Sequence, residues 1–170
     1  MTNTILYPKL IEEIVAQFRL DLLSVHGPAH WMRVRRNGLL LAEKTGANRK
    51  VVELFALFHD SCRFDDWADP DHGPRGADLA EYYFYEEKML ACSEEELQLL
   101  TAACEMHTYG GESIEPTIGT CWDADRLDLP RVGIIVDPNR LCTTTAKHPT
   151  IIEEARIRAE SWLHRVKWRS

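Results

Sequence analysis

The sequence predicts an all-α fold, a single compact bundle of about six to eight helices spanning residues 1–170. Apolar residues recur at helical spacing nearly throughout. Proline, asparagine, serine and glycine punctuate that pattern as helix starts and stops. The only strand-like run is the short "GIIV" at 133–136. A chain of 170 residues needs no second core. Its 45% hydrophobic and 28% charged residues exclude a disordered or collagen-like chain.

The first helix is expected to open at Pro8, where the missing N–H costs nothing, and to run to about Ser24. Gly27-Pro28 interrupts it, and Pro28 opens a second helix that reaches Lys44 and stops at Gly46. Asn48 caps a third, carried through Val51, Val52, Phe55 and Phe58 to His59-Asp60. The stretch FDDWADPDHG, from Phe64 to Gly73, reads as a polar loop before a fourth helix over about Pro74–Met89. Ser93 with Glu96 forms a capping box that opens the fifth, to about His107. A Gly-rich loop at Tyr109–Pro116 and a short helix near Ile118–Leu129 follow, then a mixed segment, Pro130–Pro149. Pro149 opens the last helix, Thr150–Lys167, whose basic end at Arg165, Lys167 and Arg169 complements the helix dipole.

The net charge of −7, from 20 basic and 27 acidic residues without a basic block, argues against nucleic-acid binding. Any phosphate the protein handles must be met by local charge, from metal ions or a few arginines. The five cysteines, Cys62, Cys92, Cys104, Cys121 and Cys142, are odd in number and lack C-x-x-C spacing, so neither a disulfide framework nor a cysteine zinc site is expected. The opening MTNTILYPKLIEE lacks the shape of a secretory signal, and the apolar runs at 39–42 and 51–58 are too short to span a bilayer. A soluble, cytoplasmic protein without a membrane partner is the expectation; oligomeric state has no sequence signal.

Histidine placement carries the chemistry. His59 and Asp60 end an apolar helix, where both can converge on one ion. His30 sits in the first turn of another helix, on a face with Val34 and Leu41. Imidazole nitrogen and carboxylate oxygen suit a divalent ion such as zinc, manganese or iron. Either histidine taken alone reads first as a packed core residue; it is the joint pattern that shifts the reading.

The joint pattern, His30 in "HGPAHWMRV", the doublet in "LFALFHDSCRF" and an aspartate in "WDADRLD", resembles the HD-domain metal-dependent phosphohydrolase family. The resemblance covers about residues 26–132. It implies that His30, His59, Asp60 and Asp125 hold one divalent transition-metal ion. His72 in "DHGPRGA" and His107 in "LLTAACEMH" fit the family's dinuclear branch, in which Asp60 would bridge to a second ion. Asp125 is chosen over Asp123 because it shares a helical face with Ile118, Cys121, Trp122 and Leu129 and stands in the ADRL element. Asp123 is the alternative ligand, or a partner orienting a ligand histidine.

Arg63 and Arg75 each follow a candidate ligand by three residues, close enough to offer a guanidinium to phosphate. The competing reading pairs them with Asp65, Asp66, Asp69 and Asp71. That reading is preferred for Arg126, which points away from Asp125. The acidic loop is either a solvated connector or a lid, and Trp67 within it favours contact with the body. His26 is either a proton or phosphate donor in the pocket or a helix cap. His148 and His164 lie outside the motifs, with surface or packing roles expected.

The expected activity is metal-dependent hydrolysis of a small phosphate ester or anhydride, of nucleotide-like type, by metal-activated water. Asp60 would take a proton from that water if its second oxygen is free. The same ligand set would serve a di-iron oxygenase, and a metal-containing sensor module is a further alternative.

Overall fold

The structure, a computed structural model, describes residues 7–167. Beyond Ser161 only the backbone is described, so the side chains of His164, Arg165 and Lys167 lie outside it, as does Arg169 altogether. Seven α-helices and two 3-10 turns make up the described chain, and no strand occurs among these residues. The helices are α1 (Pro8–Gln17), α2 (Pro28–Thr45), α3 (Arg49–Phe58), α4 (His72–Tyr85), α5 (Glu94–Met106), α6 (Pro116–Arg126) and α7 (Pro149–Lys167). No helix among the described residues is long and apolar enough to cross a membrane. All five cysteines are unpaired.

The caps act as their residue types dictate. The Asn48 side chain accepts from the amides of Lys50 and Val51 at the start of α3. Ser93 and Glu96 make both bonds of the capping box before α5. Gly46 ends α2 in the left-handed region, with φ 75°.

Boundaries differ where side chains compete for backbone groups. Helix α1 stops at Gln17, short of Ser24, because Phe18 turns extended and buries its ring against Trp31, centroids 5.1 Å apart. Past it, Asp21 accepts from the Leu23 amide and Ser24 Oγ from the His26 amide, local bonds that replace helical ones. Helix α4 begins at His72 rather than Pro74, since a proline in the first turn needs no helical N–H partner. It ends at Tyr85, before Lys88 adopts φ 52°. Glu115 caps α6, which therefore starts at Pro116 rather than Ile118 and ends at Arg126. The "GIIV" run is not a strand. Gly133 is left-handed at φ 79°, ending the 3-10 turn Leu129–Val132, and among the described residues there is no strand to pair with the run.

Every residue of α3 from Val51 to Phe58 is buried, which makes it the central helix. Helix α2 packs on α3 and α6, α4 packs on α5, and α3 touches α4, α5 and α6. A second apolar cluster joins Leu41 of α2, Leu127, Val136, Leu141 and Ala146 to Ala155 of α7. Two glycines let α4 approach closely. A Cβ on Gly76 would overlap the Phe58 carbonyl, and one on Gly73 the Cys104 carbonyl. Without side chains there, the start of α4 reaches the ends of both α3 and α5.

Candidate metal centre

That close approach brings helix ends together. His30 is on the first turn of α2, His59 and Asp60 just past the end of α3, His72 at the first position of α4 and His107 at the end of α5. Asp125 comes from the last turn of α6. The four histidines and Asp60 are buried.

Two triads of ligand-type atoms share Asp60: His30, His59 and Asp60, and Asp60, His72 and His107. The Nε2 atoms of His30 and His59 are 3.1 Å apart, and those of His72 and His107 2.9 Å. Asp60 divides its oxygens between them. Oδ2 lies 3.3 Å from His30 and 3.6 Å from His59, while Oδ1 lies 3.2 Å from His72 and 3.7 Å from His107. Asp125 Oδ1 joins the first triad, 3.4 Å from His30 and 3.8 Å from His59.

The opposite ring nitrogens decide what faces inward. His59 Nδ1 meets the Phe55 carbonyl at 3.0 Å, His107 Nδ1 the Cys104 carbonyl at 2.7 Å, and His72 Nδ1 the Asp69 carbonyl. His30 Nδ1 meets Asp128 Oδ2 at 2.7 Å. All four partners only accept hydrogen bonds, so each Nδ1 carries the proton. In the neutral ring each Nε2 is then a lone pair, and four of them converge with carboxylate oxygens of Asp60 and Asp125. A cluster made of acceptors alone calls for a cation, and its nitrogen and oxygen donors fit a divalent transition metal.

Charge in the cluster follows from burial and neighbours. Burial pushes His59 down to about 3. Burial and Arg131 would push His30 down too, but Asp125, Asp128 and Asp60 outweigh them and raise it to about 9. Burial alone would raise Asp60, yet the imidazoles around it hold it well below the usual carboxylate range. Without a metal, a proton on His30 offsets part of the carboxylate charge.

The remaining candidates separate clearly. Arg63 is buried, donates from Nε to Asp60 Oδ1 at 3.0 Å and from Nη1 to the Asp65 carbonyl at 3.2 Å, and lines the cavity above the cluster. Arg75 is not in that lining. Its Nη2 donates to both Asp69 oxygens at 2.6 and 2.5 Å, its Nε donates to the Cys62 carbonyl, and its guanidinium lies 3.8 Å from the Phe64 ring centroid. It ties down the acidic loop, the competing reading of its position in sequence. Trp67 is 92% exposed rather than packed on the body. Arg126 lines the same cavity, and its Nη1 donates to the Arg140 carbonyl at 2.6 Å, not to the 65–71 carboxylates.

Asp123 turns from the cluster, accepting from the Cys142 amide at 2.6 Å and from the amide and hydroxyl of Thr143 at 2.8 and 2.7 Å. It anchors that segment rather than orienting a histidine. Orientation of His30 belongs to Asp128, which the sequence reading missed; Asp128 also accepts from Arg33 at 2.7 and 3.0 Å. No local signal marks it, because Asp128 lies past the end of α6 and meets His30 across 98 residues of sequence. The condition set for Asp60 as a base is not met, because both oxygens are engaged. His26 lines the cavity, its Nδ1 2.9 Å from Asp66 Oδ1, which also accepts from Ser24 Oγ at 2.5 Å. His148 is exposed, its Nδ1 accepting from the Thr150 amide at the start of α7.

The fold matches a solved structure described as a predicted HD superfamily hydrolase, from an uncultured Thermotogales bacterium. The TM-score is 0.67 at 21% identity, covering 95% of this chain and 93% of that one. No protein-family model matches the sequence, and no curated protein matches it significantly. The chain therefore adopts the all-helical fold that its motifs led us to expect, and at this identity the likeness speaks for the fold alone.

Proposed function

We propose that the protein is a metal-dependent hydrolase of a small phosphate ester or anhydride. The observation that carries this is the all-acceptor cluster at the inner end of a cavity of about 320 Å³, with the Arg63 guanidinium beside it. His30, His59, Asp60 and Asp125 would hold one ion, and Asp60, His72 and His107 a second. Ions held there would lower the pKa of a bound water to near neutrality and would draw electron density from a phosphoryl oxygen.

The chain's own groups do the rest. Arg63 is fixed by Asp60 and the Asp65 carbonyl, so its cavity-facing edge is preorganised to donate to a phosphoryl oxygen. Asp60, held ionised and saturated, is a ligand and not a base. His26 is the group placed to exchange a proton. Its Nδ1 is fixed on Asp66, and burial lowers its pKa, so the ring is neutral near pH 7 with Nε2 able to accept.

The test loads the protein separately with manganese, zinc and iron and screens phosphorylated small molecules for phosphate release. Release should vanish with a chelator and return with metal. Oxygen consumption without phosphate release would overturn this reading in favour of a di-iron oxygenase.

A further inference from the structure

The cavity has two chemically different ends. The buried inner end presents Asp60, His107 and Asp125. The outer part carries five aliphatic side chains, Leu129, Ile134, Ile135, Val136 and Leu141, interspersed with Arg126, Arg131, Asp137 and Arg140. Among the described lining residues no ring appears besides the imidazoles of His26 and His107, and no Asn or Gln side chain.

The wall is built to stay open. Val136 and Leu141 are buried in the second apolar cluster and pin the segment at two points. Left-handed Gly133 turns the chain at its start. Between these anchors Ile134 is 50% and Ile135 91% exposed, beside the cavity they line. Three of the polar lining residues on the same side have groups engaged within the protein, and the Arg140 side chain adds a cation to the lining. Arg131 donates to the Val25 and Asp128 carbonyls, Arg126 to the Arg140 carbonyl, and the Asp137 side chain accepts from the Asn139 amide. A nucleobase is commonly held by an aromatic face that stacks on it and by polar groups that meet its edges. This wall offers hydrocarbon, in a cavity near the small end of the ~300–1,000 Å³ range of ligand sites.

Resting on the phosphohydrolase reading above, we infer that the 134–136 segment selects the substrate's body, and that the substrate is a phosphate ester of a short aliphatic alcohol. Its anionic head faces the donor cluster and Arg63. Its hydrocarbon lies along Ile134 and Ile135, backed by Leu129 and Leu141. The nucleotide-like substrate expected from the sequence has no counterpart in this wall.

Calorimetric titration of the manganese-loaded full chain tests this with methyl-, butyl- and hexylphosphonate, whose C–P bond resists hydrolysis, beside a nucleoside 5′-methylenephosphonate. Affinity should rise two- to fourfold per methylene covered, roughly the worth of a buried CH2. The nucleoside compound should bind more weakly than hexylphosphonate. Ile135→Ser, at a position too exposed to endanger the fold, should flatten the chain-length dependence at least twofold. Ile157→Ser, on α7 and outside the cavity lining, should retain it. Equal affinity at all lengths, an unchanged slope in Ile135→Ser, or tighter nucleoside binding would overturn the inference while leaving the phosphate reading standing. Binding of none of these compounds would remove both.

Discussion

The donor cluster and the 133–141 wall border one cavity but are held by opposite means. Each donor in the cluster sits at or near the end of a helix, and each histidine has its second nitrogen fixed by a carbonyl or by Asp128. The wall hangs between Val136, Leu141 and the Gly133 turn, and its forward side chains touch water. The cluster is over-determined, so it can keep several acceptors crowded in a dry interior. The wall is under-determined and can change side chains without disturbing the core. On the proposed reading, reaction chemistry would reside in helix ends and choice of substrate in a connecting segment, the usual division between scaffold and loop.

Breaking the cluster should have the largest effect. Asp60→Ala removes the residue shared by both triads. Elemental analysis should find only traces of metal, phosphate release should fall roughly a thousandfold or more, and helical circular dichroism should persist. Full metal occupancy in that variant would refute the shared-ligand arrangement.

Asp128→Asn probes the layer behind the cluster. It weakens the hold on His30 and the charge facing Arg33, and metal titration should show affinity reduced about 10–100-fold. Unchanged affinity would mean that His30 needs no orienting carboxylate.

The two arginines sharpen the boundary between site and surroundings. Arg63→Ala should lower kcat/KM about ten- to hundredfold, corresponding to a charge-assisted hydrogen bond of ~1.5–3 kcal/mol. Arg75→Ala should change it less than about threefold and instead loosen the 64–69 loop, seen as faster proteolysis there. Comparable kinetic losses in both would erase the distinction drawn from their contacts.

The smallest effect is expected in the wall's anchor. Val136→Ala should cost about 1–2 kcal/mol, read as a melting temperature lower by roughly 2–8 °C, with metal content unchanged. A loss of metal there would show that wall and cluster are mechanically one unit.

Much of the cluster was legible because its residues stand beside strong local signals. The Asn48 cap and the apolar run to Phe58 place His59-Asp60 at a helix end, and Pro28 places His30 in a first turn. Arg63 and Arg75 carry the same local signal, each three residues after a candidate ligand, yet only Arg63 lines the cavity. Their difference arises from Asp69, which folds back onto Arg75 and the Phe64 amide. Similarly, Asp128 reaches His30 across 98 residues of sequence, a contact no local pattern encodes. The "GIIV" run has strand-like composition, but no strand occurs among the described residues to pair with it.

By itself, the sequence determined the helical class, most helix starts and the ordered set of ligand-type residues. These depend on interactions within about four residues, through caps, proline and the 3.6-residue period. Tertiary structure alone decided that Asp60 gives one oxygen to each histidine pair, that Asp128 rather than Asp123 orients His30, and that Ile134 and Ile135 face the cavity. Such contacts depend on how closely helices approach, here through Gly73 and Gly76 against two carbonyls, and that spacing is set by packing across the whole core rather than by neighbours along the chain.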